Sequence, residues 1–202
     1  MENKLNRMHF KSIISAVVLA MALFSCQQSK KPKPPMVDGN IADFLRLGVE
    51  PINLMDGVNL YFYQDEYFVW LAYDYPENSF GTMDLKLLTP NLADTLNIHV
   101  SAQLGEWYLK EGAPRPDNPL SELWWNHTGW YANEVWSNGI DRSNENARPK
   151  FKNGKAREIQ LEKDRFGKGE WIMKAEIRAI QTPNGFASVT FPEEGMHTLN
   201  VY

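Results

Sequence analysis

Cysteine is nearly absent from this chain of 202 residues, since Cys26 is the only one. A disulfide bond within the chain is therefore excluded in any compartment. Long apolar runs are missing as well, because the most apolar stretch, residues 13–24, is too short to cross a bilayer as a helix. The fold therefore has to be held by an apolar core, and the chain is long enough to bury one.

An excess of basic charge is also lacking. The chain carries 21 Lys and Arg against 25 Asp and Glu, which gives a formal net charge of -4. This balance argues against nucleic acid as a partner. Low-complexity tracts and internal repeats are absent too, so the sequence contains no sign of a repeat architecture.

The sequence contains few groups that could hold a metal ion. His99, His127 and His197 lie far apart and have none of the spacings of zinc sites. We therefore expect no resident cofactor, while calcium stays possible because four aspartates offer hard oxygen ligands outside any recognisable loop motif: Asp38, Asp65, Asp74 and Asp84. For Asp38, which precedes a glycine, capping of a turn is the favoured role.

The N-terminus has the layout of a secretory leader. Basic residues precede the apolar stretch, which ends in Leu23-Phe24-Ser25-Cys26. This tetrapeptide resembles the lipobox of bacterial lipoproteins, in which the cysteine is acylated, for example with palmitate, and becomes the first mature residue. We therefore expect a signal peptide over 1–25 and a lipid on Cys26. The alternative is an uncleaved signal anchor with a chance cysteine.

A Lys/Pro-rich segment, residues 26–35, follows the leader. Its prolines favour extended geometry and no apolar period runs through it, so we interpret it as a tether. The lipid would hold the protein outside the cytoplasm on the bacterial cell membrane or outer membrane, with the membrane as a partner. The remaining residues, 36–202, have the length of one domain.

Apolar residues in this domain alternate with period two. The runs 59–63 and 67–73 flank a polar tripeptide as a hairpin does, and the second is apolar on both faces, which indicates a central strand. Residues 82–89 and 96–104 are predicted to be half-buried strands, and 157–161 is predicted to pair with 170–180. Only one helical turn is expected, near Asp164. The fold class is therefore all-β, a single antiparallel β-sandwich domain with little helix.

Several segments resemble family 9 carbohydrate-binding modules and the related DOMON-like domains. The opening segment, residues 36–44, has the Val-Asp-Gly turn followed by an aliphatic residue and an aromatic one. Residues 157–161 are similar to a late strand of these modules, and 190–202 to their closing strand. Ala42-Asp43-Phe44 stands where an Asp-Glu-Trp-like triplet is usual. The resemblance implies a β-sandwich that binds carbohydrate, and it transfers no individual ligand residue.

The densest chemical feature is the segment 122–136, which combines aromatic rings with amides. Aromatic rings stack on the apolar face of a sugar, and amides bond its hydroxyl groups. Two consecutive tryptophans cannot face the same core if the segment is extended, so one should be exposed. The predicted carbohydrate-binding residues are Trp124, Trp125, Asn126, Trp130, Tyr131 and Asn133.

Three functions stay open at this point. Binding of a poly- or oligosaccharide leads, and a structural or adaptor lipoprotein that docks on an envelope protein is the alternative. A glycoside-processing enzyme is third, because Glu106, Glu122, Glu134 and Glu158 supply carboxylates, but no motif selects a catalytic pair. We therefore predict no catalytic residue.

Overall fold

The computed structural model describes residues 32–133, 136–143, 148–152 and 154–202, and for 136–139, 141 and 148–152 the backbone alone. The predicted signal peptide and Cys26 lie outside the described residues. Residues Pro34–Tyr202 form one compact unit. Its elements are α1 (Ala42–Arg46), β1 (Ile52–Met55), β2 (Val58–Gln64), β3 (Phe68–Asp74), β4 (Thr82–Leu88), β5 (Leu96–Val100), β6 (Leu104–Tyr108), β7 (Trp130–Ala132), β8 (Trp136–Asp141), β9 (Arg148–Lys152), β10 (Ala156–Glu162), α2 (Lys163–Phe166), β11 (Gly169–Thr182), β12 (Gly185–Phe191) and β13 (His197–Val201).

The strands form two large antiparallel sheets. The first sheet has the order β1-β2-β3-β10-β7, and the second has the order β12-β11-β4-β5-β6, with β13 also paired to β11. Strands β8 and β9 make a separate hairpin. The predicted all-β sandwich is confirmed, and in the described part of the chain no helix is long and apolar enough to span a bilayer.

The core lies between the two sheets and follows the period-two pattern. On β4 the residues Met83, Leu85 and Leu87 are buried, while the intervening polar side chains face outward. On β11 Trp171 and Met173 face the same core. The predicted hairpin of β2 and β3 is confirmed, and β3 is central, with β2 on one side and β10 on the other.

Two predictions about the strands are wrong, one about the extent of a strand and one about pairing. Residues 96–104 are two strands, because a tight turn separates Val100 from Leu104 and β5 pairs with β6. In this turn the Ser101 backbone N–H donates to the Gln103 carbonyl at 3.0 Å, and the Gln103 N–H donates to Ser101 Oγ at 3.1 Å. The apolar alternation runs through the turn unchanged, so the sequence pattern conceals it.

The strands β10 and β11 belong to different sheets and do not pair. Strand β10 pairs with β3 and β7, whereas β11 pairs with β4, β12 and β13. The expected helical turn is confirmed as α2, and it carries the chain from one sheet to the other. Gly167, at φ 82°, ends it and accepts a hydrogen bond from Trp171 Nε1 at 2.8 Å.

The N-terminal segment covers the outer side of the first sheet. Phe44 of α1 is fully buried there and packs against Tyr61, with 6.1 Å between ring centroids, and joins a small cluster with Trp70 and Ala72. Five residues are too few for a helical period to stand out, so the sequence does not reveal α1. The part of this face around Tyr61 and Trp70 is therefore covered by the chain itself.

Candidate functional site

The six predicted carbohydrate-binding residues do not form one site. Trp130 and Tyr131 belong to β7 of the first sheet, whereas Trp124 lies against the second sheet. Their exposed fractions differ widely, from 3% for Trp130 to 62% for Tyr131. The cluster seen in the sequence is therefore divided between opposite parts of the sandwich.

Trp130, one of the predicted sugar-stacking rings, lies in the core and is 3% exposed. The side chain points inward from β7, and its Nε1 donates to Glu106 Oε2 at 2.6 Å. The same carboxylate receives two bonds from the Arg165 guanidinium, at 2.6 and 2.7 Å. Because Glu106 lies on the last strand of the second sheet, these contacts join the edges of the two sheets.

Asn133, another of the predicted ligand residues, bonds the backbone of β10 through its side-chain amide. Its Oδ1 accepts the backbone N–H of Glu158 at 2.6 Å, and its Nδ2 donates to the Ala156 carbonyl at 3.2 Å. The amide thus continues the backbone ladder of β10 beyond the end of β7. It is 6% exposed and directs no polar group to solvent.

Tyr131, Trp125 and Asn126 are exposed. Tyr131 stands on the outer side of the first sheet beside a groove of about 300 Å³, which His127 and Glu162 also line. Trp125 is 46% exposed and adopts a positive φ of 66° in a turn. The expectation that one of the two adjacent tryptophans is exposed is therefore confirmed, although the segment is not extended.

Trp124 belongs to an aromatic cluster on the outer side of the second sheet. Its ring lies 5.2 Å from that of His99 and 6.3 Å from that of Trp107, the two indoles standing edge to face at 82°. It lies over Gly105, where an added Cβ would come within 2.9 Å of the indole. Trp124 Nε1 donates to the Asn118 carbonyl at 2.9 Å. We call Trp107, Trp124 and His99 the aromatic face.

The strand register arranges the outward residues in two rows across this sheet. One row runs from Lys174 on β11 through Lys86 and Asn97 to Trp107 on β6. The neighbouring row runs from Glu176 through Asp84 and His99 to Gly105, beneath Trp124. The face therefore has an aromatic end on β5 and β6 and a charged end on β4 and β11.

Asp84 is the centre of the polar network at this face. Its Oδ1 accepts from Asn97 Nδ2 at 2.9 Å and from His99 Nδ1 at 2.8 Å, and its Oδ2 pairs with Arg178. Burial alone would raise the pKa of Asp84, but the hydrogen bonds from His99 and Asn97, together with the charge of Arg178, outweigh it and lower the pKa. An ionised carboxylate therefore fixes the imidazole beside the two indoles.

The order Asp84, His99, Ser101 invites comparison with a hydrolase triad. His99 Nε2 lies 3.0 Å from Ser101 Oγ. That hydroxyl is, however, part of the β5–β6 turn, where it lies 3.1 Å from both the carbonyl and the N–H of Gln103. The Ser101 N–H also bonds within the turn, so neither of these two N–H groups is free to stabilise an oxyanion. The geometry serves the turn and the orientation of His99.

The other candidate carboxylates and metal ligands have local roles or lie apart. Glu106 is held by Arg165, Glu158 is buried beneath the Asp38-Gly39 turn, Glu122 is exposed, and Glu134 lies outside the described residues. In the described part of the chain no group of three His, Cys, Asp or Glu side chains is arranged to hold a metal ion. Asp38 Oδ1 accepts the Asn40 N–H at 2.9 Å, which confirms the expected turn cap.

Trp107 is the residue of the aromatic face that sequence reasoning missed. It lies fifteen residues before the aromatic-rich segment begins at Glu122, and a single tryptophan in a strand carries no functional signal. The alternation along the strand could have indicated it. Leu104 faces the core, so Gly105 and Trp107, at odd distances from it, face the outer side of the sheet. A groove of about 490 Å³ opens beside Trp107 and is also lined by Lys110, Glu111 and Arg115.

Comparison of the chain with protein-family models, curated proteins and solved structures gave no match, so the function has to be argued from the residues themselves.

Proposed function

We propose that this domain binds carbohydrate on the outer side of the second sheet, through the aromatic face. The observation that carries the proposal is the pair of half-buried indoles, Trp107 and Trp124, held edge to face outside the core. A pyranose ring can stack its C–H face on one indole while the other borders its edge. Arg178 and Lys86 stand on the same face and offer donors to sugar hydroxyls.

The preorganisation of the aromatic face supports the same proposal. Trp124 is held by its bond to the Asn118 carbonyl and by contact with Gly105, and His99 is held between Asp84 and Ser101. Rings that are already ordered lose little conformational entropy when a ligand binds. The resemblance to family 9 carbohydrate-binding modules points to the same ligand class.

Replacing either indole with alanine should abolish most of the binding. Trp107→Ala and Trp124→Ala are each expected to weaken a bound oligosaccharide by about 2 kcal/mol or more, roughly 30-fold in Kd, because each removes a stacking surface. A glycan array with the purified full-length protein in detergent identifies the ligand, and isothermal titration gives the Kd. Tyr131→Ala is the matched control, since that ring is exposed on the opposite sheet and its loss should leave Kd unchanged.

Other outcomes of this experiment separate the competing functions. If Tyr131→Ala weakens binding and the two tryptophan variants do not, the site lies in the groove of the first sheet. An array without any glycan bound, together with a co-purifying envelope protein, contradicts the proposal and favours the adaptor role. Steady release of product from a polysaccharide favours a glycoside-processing enzyme.

We also propose that the domain is held on a bacterial membrane by a lipid on Cys26. The support is the lipobox-like tetrapeptide after an apolar stretch, followed by a Lys/Pro-rich segment. Cys26→Ser is expected to move the protein from the membrane to the soluble fraction or to leave the leader uncleaved, because no thiol remains to be acylated. Fractionation and intact mass measure both effects, and unchanged behaviour of the variant contradicts the anchor.

A further inference from the structure

Two lysines stand opposite each other on the outer side of the second sheet. Lys86 on β4 and Lys174 on β11 are direct cross-strand partners, and both face outward. Like charges directly opposite on neighbouring strands destabilise a sheet. Among the residues that the structure describes, neither ammonium group has a carboxylate within ion-pair distance. This pair is therefore a local concentration of positive charge on an acidic protein.

The next cross-strand pair along these strands has a counterion. Glu176 and Asp84 are also like charges in register. Arg178 lies against both carboxylates, pairing with Asp84 and approaching Glu176 at 3.6 Å. The acidic pair thus has its counterion within the fold, whereas the basic pair has none among the described residues. An anionic ligand could supply the counterion that the described residues do not give the lysines.

The lysine pair shares its row with the aromatic face. Lys86 is separated from Trp107 only by Asn97, so two strand spacings, about 10 Å, lie between their backbones. The side chain of Asn97, which lies between them in the row, is only 3% exposed. The groove that Trp107 lines also carries Lys110 and Arg115 against the single carboxylate of Glu111. Basic side chains thus lie in the strand row of Trp107 and in the groove that it lines.

We infer that the ligand is an acidic oligosaccharide, whose carboxylate or sulfate group binds between Lys86 and Lys174 while a neighbouring sugar ring stacks on Trp107. This inference rests on the proposed function and names its substrate class. A neutral glycan would leave the lysine repulsion in place, whereas an anionic one relieves it on binding. Trp107 supplies recognition of a sugar ring, and the lysines select its charge.

The test uses matched pairs of polysaccharides that differ in charge. Polygalacturonate is compared with its methyl ester, and dextran sulfate with dextran, by affinity electrophoresis of the purified full-length protein. We expect at least one charged member to bind 10-fold or more tightly than its neutral counterpart, and the difference to shrink at high salt. The carboxylate and sulfate pairs distinguish the two kinds of anion.

Two double variants test whether Lys86 and Lys174 cause the preference for the charged polymer. The double variant Lys86→Gln and Lys174→Gln is expected to lose 10-fold or more in affinity for the charged polymer, without a lower melting temperature, because a repulsive pair has been removed. The matched control is Lys155→Gln with Lys168→Gln, which changes the net charge equally at exposed positions away from the row. Its affinity should be close to that of the unchanged protein.

Three results would overturn the inference. These are equal binding of both members of every pair, unchanged affinity of the Lys86 and Lys174 variant, and equally tight binding of poly-glutamate, which has the charge but no sugar ring. If neutral glycans bind and Trp107→Ala abolishes that binding, only the charge selection fails. If no polysaccharide of either kind binds, the proposed function fails with it.

Discussion

The free energy of unfolding is expected to fall by about 3 kcal/mol as the pH rises from about 4.5 to about 7, because of one buried carboxyl group, that of Glu158. This side chain is fully buried at the outer side of the first sheet. Burial raises its pKa from 4.5 to about 7, although three backbone N–H donors act in the opposite direction.

The contacts of Glu158 show why its charge matters. Its Oε2 accepts the backbone N–H groups of Asp38, Gly39 and Asn40 at 2.8, 2.5 and 3.2 Å, while Oε1 has no partner among the described residues. The carboxyl group thus binds the first turn of the domain to β10. Ionisation at this position leaves a charge that is only partly compensated.

The sign of the pH effect follows from proton binding. Between pH 4.5 and 7 the folded protein holds a proton on Glu158 that the unfolded chain has released, so raising the pH favours unfolding. Urea titrations at several pH values measure this slope. Glu158→Gln cannot ionise and is expected to lack this contribution, so the stability difference between variant and unchanged protein should vary with pH. A difference that is constant from pH 5 to 8 would contradict the raised pKa.

Trp171→Ala is expected to lower the free energy of unfolding by about 4 kcal/mol, the largest loss that we expect from a single truncation. Its indole is fully buried between the sheets and packs against Phe166 with 5.6 Å between ring centroids. Its Nε1 bonds the Gly167 carbonyl where α2 leads into β11. Removal therefore leaves a cavity and an unpaired carbonyl at the link between the two sheets.

Two further variants show how much of this loss of stability comes from the buried position and the hydrogen bond of Trp171. Trp171→Phe retains a ring and should cost less, about 2 kcal/mol, because it loses the hydrogen bond and part of the packing. Trp107→Ala serves as the surface comparison and is expected to change stability far less than Trp171→Ala while abolishing glycan binding. Equal losses of stability for Trp107→Ala and Trp171→Ala, measured by urea denaturation, would show that Trp107 is a core residue.

The strands could be predicted because burial on one face imposes period two. Met83, Leu85 and Leu87 reveal β4, and the doubly apolar run of β3 reveals its central place. Pairing between distant strands could not be predicted, since alternation says which face is buried and not which neighbour donates the hydrogen bonds. The short turn at Ser101 was hidden for the same reason, because alternation resumes in phase on its other side.

The candidate site was predicted only in part, because tryptophan serves both core and surface. Trp124 was identified from its segment, while Trp130 in that same segment faces the core. What separates them is whether the ring lies between the sheets or on an outer face, and local sequence does not contain that information. Trp107 and Lys86 lie in one row only because of the register of β4, β5 and β6.

The attachment of the first turn to Glu158 also has a mechanical consequence. The chain enters the domain over the first sheet, whereas the proposed ligand lies on the second. Tension applied to the chain ahead of residue 36 would reach the bonds from Asp38, Gly39 and Asn40 to one carboxylate oxygen before it reached any strand of the ligand-bearing sheet. A load on the entering chain would therefore strain this turn before it strained the aromatic face.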